Sequence, residues 1–312
     1  MARGSFGSPL LIRAAFDPFW RDMMTNFVDP IFNFRKAFET EARADDILST
    51  LMVVEINPTE MCNRTCVFCP RADPKIYKNH KKFMSPQTAN NIAIGLRDID
   101  FGYRGQISIS GFGEPLLNQD LDQIIGAFRT YLPGVYIELI CNGDFLEPAV
   151  IRRLLSAGVN KILVNLYDGP EQIDEFESRF CGVPQQRYMF RHHYFGPEQS
   201  YGLTLNNRTG LASFRAPLEE AAKRACHVPF YKMMIDWNGS QLLCFNDWGR
   251  RAEVSGNVND RSVRDLWLSP DMVRYRRSLL DEDRTLTPCS TCDVIGTLHG
   301  ASAFYAFREY YL

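Results

Sequence analysis

A parallel α/β sheet or barrel followed by a small hairpin-and-helix module is the architecture this 312-residue chain predicts. Two observations carry the expectation. From residue 51 to about residue 170, short apolar runs alternate with amphipathic stretches, which is the rhythm of βαβ units. Near residue 226 that rhythm ends, and two apolar runs flank Trp237-Asn238-Gly239-Ser240; Asn-Gly between such runs is a strong hairpin signal. The length suits one large unit plus a small one.

In chain order, the first 50 residues form a helical extension, with Phe16, Phe19, Trp20, Met23, Met24, Phe27 and Ile31 recurring three or four apart. Such a stripe docks on the body of its own protein; Asp17, Asp22 and Asp29 dilute the basic face a membrane-surface helix would need. Leu51–Ile56 is an apolar run suited to a strand buried on both faces. Ser85 caps and Pro86 opens a helix reaching about Arg97. Strand Gln106–Ile109, helix Leu121–Tyr131, strand Val135–Ile140, helix Pro148–Ala157 (stopped by Gly158) and strand Lys161–Leu166 follow. Tyr188–Phe195 and Tyr201–Leu205 are weaker strands. Met233–Asp236 and Gln241–Phe245 form the hairpin, and Ser262–Leu280 is helical. The units are 1–50, 51–218 and 219–312.

Composition removes several function classes. With 35 Lys+Arg against 37 Asp+Glu the net charge is −2, leaving no surplus to replace phosphate counterions on nucleic acid. No apolar run approaches a membrane span, and the N-terminus lacks the order of a secretory signal, so a cytoplasmic protein is expected. Nine cysteines, an odd number, make a poor disulfide framework and point to metal ligation or catalysis.

Cys62, Cys66 and Cys69 form C-x3-C-x2-C in the loop after the first strand. A structural zinc wants four ligands, and a zinc knuckle completed by His80 or a remote residue is one reading. The other is an iron–sulfur cluster that keeps one iron open. Cys226, Cys244, Cys289 and Cys292 make a second, closed set to which zinc and iron–sulfur are both admissible.

The first loop, with Phe68 in its aromatic position, resembles that of the radical S-adenosylmethionine (SAM) enzymes. Ser110-Gly111-Phe112-Gly113-Glu114-Pro115 is similar to that family's glycine-rich Glu-Pro motif. The resemblance implies a partial (β/α)6 TIM-like barrel and a [4Fe–4S] cluster at Cys62, Cys66 and Cys69 whose open iron chelates SAM. In that reading Gly111 and Gly113 permit close backbone approach and Glu114 accepts from the SAM ammonium. Asn142 and Asn165, at strand ends, face SAM, while Asp168 faces the site or caps a turn. The second cysteine set resembles the twitch module, a shortened SPASM domain, which implies an auxiliary [4Fe–4S] cluster. The matches run from residue 51 to about 295.

The implied reaction is abstraction of hydrogen from a carbinol carbon of a small sugar, cyclitol or nucleoside-like substrate, with the electron passing to the auxiliary cluster. Resemblance to twitch-type dehydrogenases of aminocyclitol biosynthesis marks Arg208 for contacting, or accepting a proton from, the substrate hydroxyl; a solvated loop arginine is the other reading. Cys141 and Cys181 are the hydrogen donors an epimerase would need, and buried or inert thiols otherwise. His192 and His193 alternate sides on a strand, so at most one faces the site, and both are read as surface residues. An external low-potential donor, flavodoxin- or ferredoxin-like, supplies the first electron. A peptide- or protein-modifying maturase and a non-catalytic zinc-binding protein are the remaining alternatives.

Overall fold

The computed structural model describes residues 40–103, 105–193, 206–212 and 218–312. The expected N-terminal stripe and the Tyr201–Leu205 strand lie outside these. Seven strands form one open sheet in the order β5-β4-β3-β2-β1-β6-β7. They are β1 (Val53–Ile56), β2 (Gln106–Ile109), β3 (Tyr136–Cys141), β4 (Lys161–Leu166), β5 (Tyr188–His192), β6 (Lys232–Ile235) and β7 (Gln241–Leu242). The first six are parallel; β7 runs antiparallel to β6 across the Asn238-Gly239 turn. Gly239, at φ +88°, takes the left-handed position that Asn-Gly hairpins require.

Alternation along the strands sorts the residues. Val54, Ile56, Ile107, Ile109, Ile137, Leu139, Ile162 and Val164 share one core with Ile92, Leu96, Ile124, Phe128, Ile151 and Leu154 of three helices. Those helices are α1 (Pro86–Arg97), α2 (Leu121–Tyr131) and α3 (Pro148–Ala157). Each fully buried side chain of this size stabilises the fold by about 1.5–3 kcal/mol. The opposite face carries Glu55, Ser108, Glu138 and Lys232, all buried, so it is a polar interior rather than a second apolar core. That face, at the C-terminal strand ends, is where such folds place chemistry.

The local signals work as expected. Ser85 Oγ accepts from Thr88 N at 3.2 Å ahead of Pro86, and Gly158 at φ +116° ends α3. The Ser262–Leu280 stretch is two helices, α6 (Val263–Trp267) and α7 (Pro270–Leu280). Pro270 holds Ser269 in extended conformation, which breaks the first helix and caps the second. Helix α4 (Gln172–Arg179) escapes the periodicity because only Gln172 and Phe176 are buried on it. The short α5 (Val228–Tyr231) leads into β6, and α8 (Ala301–Tyr310) closes the chain.

One feature of the topology was not anticipated. Strand β6 belongs to the C-terminal hairpin, yet it pairs in parallel with β1, Val53 facing Lys232 and Ile56 facing Ile235. The sheet therefore runs through the boundary expected at residue 218. Lys232 Nζ and Glu55 Oε2 form a buried ion pair at 2.7 Å across this junction. Among the described residues no helix is long and apolar enough to cross a membrane.

Candidate active site between two cysteine sets

The first cysteine loop leaves the C-terminal end of β1 and is held by side chains from elsewhere. The Asn79 amide exchanges two hydrogen bonds with the Cys62 backbone: Cys62 N donates to Oδ1 and Nδ2 donates to Cys62 O, both at 2.9 Å. Arg71, buried, donates to Asn79 Oδ1 at 2.8 Å and from Nε to Phe112 O at 2.9 Å, tying the loop to the glycine-rich turn. Arg64, between the first two cysteines, donates from Nε to Asp144 at 2.7 Å and from Nη1 and Nη2 to Asp168, each at 2.7 Å. The loop is thus clamped to the ends of β3 and β4. Asp168, left open by the sequence as site or turn, pairs with Arg64 and is also held by Gln172 Nε2 at 2.9 Å.

The turn after β2 lies under this loop. Ser110 N donates to Ile56 O at 3.1 Å, and Glu114 N donates to Met61 O at 2.7 Å. A Cβ on Gly113 would collide with the carbonyls of Thr59 and Met61, so only glycine permits that approach. Gly111 combines φ +100° with contact on Asn57, which excludes a side chain there too. Phe112 packs 4.7 Å from Trp248, in a small apolar cluster against which Cys69 also packs. The Glu114 carboxylate, 2% exposed, accepts from Asn142 N at 2.8 Å and Leu116 N at 3.1 Å. Burial pushes its pKa up to about 7 against these two donors.

Asn142 donates to Asn63 Oδ1 at 2.8 Å, so its side chain braces the cysteine loop. Asn165 lies on the polar face of β4, and its Oδ1 is buried with no hydrogen-bond partner among the described residues. Beside the loop, Phe68 stacks on Tyr167 at 5.7 Å and on His193 at 5.9 Å. This corrects the surface reading of His193, which is buried because its strand turns that position onto the polar face.

The structure does not bring the two remaining thiols to the site. Cys141 alternates with Ile140 on β3 and belongs to the helix-covered core with Ile137 and Leu139. Cys181 is exposed just beyond α4.

The second set converges. Cys226, Cys244, Cys289 and Cys292 line one small pocket together with Val228, Pro229, Leu243, Leu279 and Arg284. Arg284, 2% exposed, donates to the carbonyls of Arg224 (3.1 Å), Ala225 (2.7 Å), Val294 (2.7 Å) and Ile295 (2.9 Å), joining the segments that carry Cys226 and Cys292. Among the described residues no three His, Cys, Asp or Glu side chains close on a single ion. Four thiols around a void suit a multi-iron cluster better than the single point on which zinc draws its ligands. Three loop cysteines suit a cluster with one open iron, and the buried Asn165 oxygen offers an unsatisfied acceptor at the end of β4. Burial raises all seven thiols, Cys66 to about 12, so ligation has to displace their protons.

Arg208 connects the two sets. It opens a left-handed turn, Arg208 φ +49°, Thr209 +57° and Gly210 +82°, costing about 1–2 kcal/mol per non-glycine residue. The turn is pinned by neighbours of the second set. Asn207 N donates to Asp293 Oδ1 and Asn207 Nδ2 to Thr291 O, both at 2.8 Å, Thr291 Oγ1 donates to Thr209 O at 2.6 Å, and Thr209 Oγ1 donates to Asn246 O at 3.0 Å. Arg208 Nη1 itself donates to Asn246 Oδ1 at 3.3 Å, and its charge pulls down the Cys69 thiol that burial raises.

Sequence reasoning missed Arg64, Arg71, Tyr167, Arg284 and Thr291 as functional neighbours. Arg64 and Thr291 carried a usable signal, since each lies between cysteines of a ligand set; the others depend on contacts distant in sequence.

Known proteins agree with this geometry. Residues 56–194 match the radical SAM superfamily model, and residues 226–293 match an iron–sulfur cluster-binding domain of the SPASM type. The S-adenosyl-L-methionine-dependent 2-deoxy-scyllo-inosamine dehydrogenase of Niallia circulans is 27% identical over 250 residues, 80% of this chain and 94% of that one. A GTP 3',8-cyclase of Helicobacter pylori (strain HPAG1) is 31% identical over 114 residues, 36% of this chain and 34% of that protein. The crystal structure of BtrN with AdoMet and 2-DOIA superposes with a TM-score of 0.69 at 24% identity, covering 82% of this chain and 98% of that chain. BtrN in an open conformation gives 0.58 at 23% identity, covering 78% and 93%. The cofactors of such a chain are SAM and two [4Fe–4S] clusters. Two segments of the chain are thus similar to known families, residues 56–194 to the radical SAM superfamily and residues 226–293 to the SPASM-type iron–sulfur cluster-binding domain.

Proposed function

We propose that the protein is a radical SAM dehydrogenase that oxidises a secondary alcohol of a small aminocyclitol-like substrate to a ketone, in a reducing, cytoplasmic setting with an external low-potential donor. The observation that carries the reading is Arg208, a cation between the two cysteine sets, hydrogen-bonded to Asn246 of the auxiliary cavity and electrostatically coupled to Cys69. The 27% identity with the inosamine dehydrogenase over most of both chains supports the substrate class.

When bound, the two clusters would supply one-electron chemistry, reductive cleavage of SAM at the first site and acceptance of an electron from substrate at the second. Cys62, Cys66 and Cys69 would hold the first cluster, and Cys226, Cys244, Cys289 and Cys292 the second. Glu114 receives the SAM ammonium beside the glycine-rich turn, and the Asn165 oxygen accepts from a SAM hydroxyl. Phe68, Tyr167 and His193 wall this pocket and exclude water. Arg208 donates to the substrate oxygen and stabilises the negative charge that develops as the hydroxyl proton leaves for solvent. The balance is one alcohol and one SAM giving ketone, 5′-deoxyadenosine, methionine and a proton, with one electron entering at the first cluster and one leaving at the second. An epimerase would need a thiol on the polar face, and neither Cys141 nor Cys181 is there.

The test is anaerobic turnover of the reconstituted full chain with SAM and 2-deoxy-scyllo-inosamine in deuterated water. Ketone and 5′-deoxyadenosine should form in equal amounts, and Arg208→Met should lower kcat/KM about 100-fold. Alcohol recovered with deuterium at the reacting carbon would overturn dehydrogenation in favour of epimerisation.

A further inference from the structure

The chain as a whole is nearly neutral, but one segment beside the first cysteine set is strongly basic. Residues 74–83 contain Lys75, Lys78, Lys81 and Lys82 and no acid. All four lysines are exposed, and none forms an ion pair among the described residues. Apolar side chains lie among and beside them: Ile76 is 41% exposed, Phe83 40%, and Val67, in the cysteine loop itself, 62%.

The segment is held firmly. Tyr77 is its buried anchor, edge-on to Trp248 at 5.2 Å and covered by the Arg71 guanidinium at 4.7 Å. Lys82 O accepts from Glu60 N at 3.0 Å and Thr59 Oγ1 at 2.7 Å. Between these anchors, Asn79 makes its paired hydrogen bonds to the Cys62 backbone. An exposed, lysine-rich surface is thus one hydrogen-bonded step from a ligand of the first cluster. Among the described residues the second cysteine set has no such lysines at its pocket, which is lined by Val228, Pro229, Leu243 and Leu279 beside the thiols.

We propose that residues 74–83, with Val67, form the docking surface for the external electron donor, an acidic protein carrying a low-potential one-electron centre. The inference rests on the radical SAM reading, which requires that electron. Electron-transfer encounters are small and transient, burying less than about 1,200 Å², so a patch of this size suffices. Their rates depend on steering by complementary charge, which salt screens. One electron leaves the reduced donor and enters the first cluster; no bond or proton changes hands in that step.

The experiment compares two reductants on the reconstituted full chain, reading 5′-deoxyadenosine formation. One is dithionite, too small to need a docking surface; the other is an acidic flavodoxin or, in parallel, an acidic ferredoxin. The quadruple variant Lys75→Glu, Lys78→Glu, Lys81→Glu, Lys82→Glu should lose about tenfold or more of the protein-driven rate at low salt while keeping the dithionite-driven rate. The milder Lys→Gln quadruple should show an intermediate loss, with unchanged iron content certifying the fold. Raising salt should slow the wild-type protein-driven rate and raise that of the glutamate variant, whose repulsion of an acidic donor it screens. Equal protein-driven rates in wild type and both variants, or no wild-type rate with either carrier, would overturn the docking surface alone. Absence of dithionite-driven SAM cleavage in the wild type would instead remove the radical SAM reading beneath it.

Discussion

Cys62, Cys66 and Cys69 fall within eight consecutive positions on one loop at the open end of the sheet, whereas Cys226, Cys244, Cys289 and Cys292 come from three separate segments around one pocket. Each site has its own arginine. Arg64 ties the first loop to Asp144 and Asp168 by ion pairs near the surface, and Arg284 ties the second site together through four buried backbone carbonyls. The difference matches the role proposed for each site. A loop ligand set leaves room on one side for SAM, while a cage assembled from distant segments encloses a group that only exchanges electrons. It also makes the second site a scaffold, since its neighbours Asn246, Thr291 and Asp293 hold the left-handed turn that presents Arg208.

The sharpest way to break this contrast is to remove one ligand from each site. Cys62→Ala should abolish SAM cleavage and lower the iron from about eight to about four per chain, leaving the auxiliary signal in the electron paramagnetic resonance spectrum. Cys292→Ala should lose the other four irons, retain SAM cleavage and form no ketone. Full SAM cleavage by Cys62→Ala would be fatal to the assignment of the two sites.

A smaller but still large effect is expected at the two arginines. Arg284→Met strands several buried acceptors and should cost about 3–5 kcal/mol, read as a fall in the denaturant midpoint. Arg64→Met breaks partly exposed ion pairs and should cost only about 1 kcal/mol, while weakening SAM binding. Equal losses at both positions would show that the two sites are held in the same way.

The smallest effect separates the sites by pH. The Glu114 pKa is raised to about 7 by burial, so its ionised form is disfavoured in the free protein, and this carboxyl costs stability increasingly as pH rises from the ordinary carboxylate range through 7. The SAM ammonium favours the ionised form. SAM affinity, measured by equilibrium binding to the reconstituted chain, should therefore be flat above pH 7 and fall about tenfold per pH unit below it. Glu114→Gln should bind SAM more weakly and without that slope; an unchanged slope would remove Glu114 from the SAM site. Auxiliary cluster content should not vary over the same range.

Much of this was legible in the chain. Buried strands announce themselves as apolar runs, Ser85-Pro86 and Gly158 punctuate helices, and Asn238-Gly239 marks the hairpin, because each depends on residues adjacent in sequence. Gly113 was readable as a close approach, although only the structure names the Thr59 and Met61 carbonyls it must clear. Cys141 looked like a site residue because it follows a strand; the pleat turns it to the helix-covered core. His193 looked like a surface residue until the same alternation placed it on the polar face against Phe68 and Tyr167.

The sequence by itself determined the ligand types, their division into an open set of three and a closed set of four, and the glycines of the neighbouring turn. Covalent neighbours stay neighbours, so spacing fixes which donors share a loop. Only the tertiary structure decided that β6 joins β1, that Arg64 meets Asp144 and Asp168, that Arg284 closes the second cage, and that the turn at Arg208 is held from residues 246, 291 and 293. Those decisions depend on burial and pairing between residues tens to hundreds of positions apart, which no local pattern encodes.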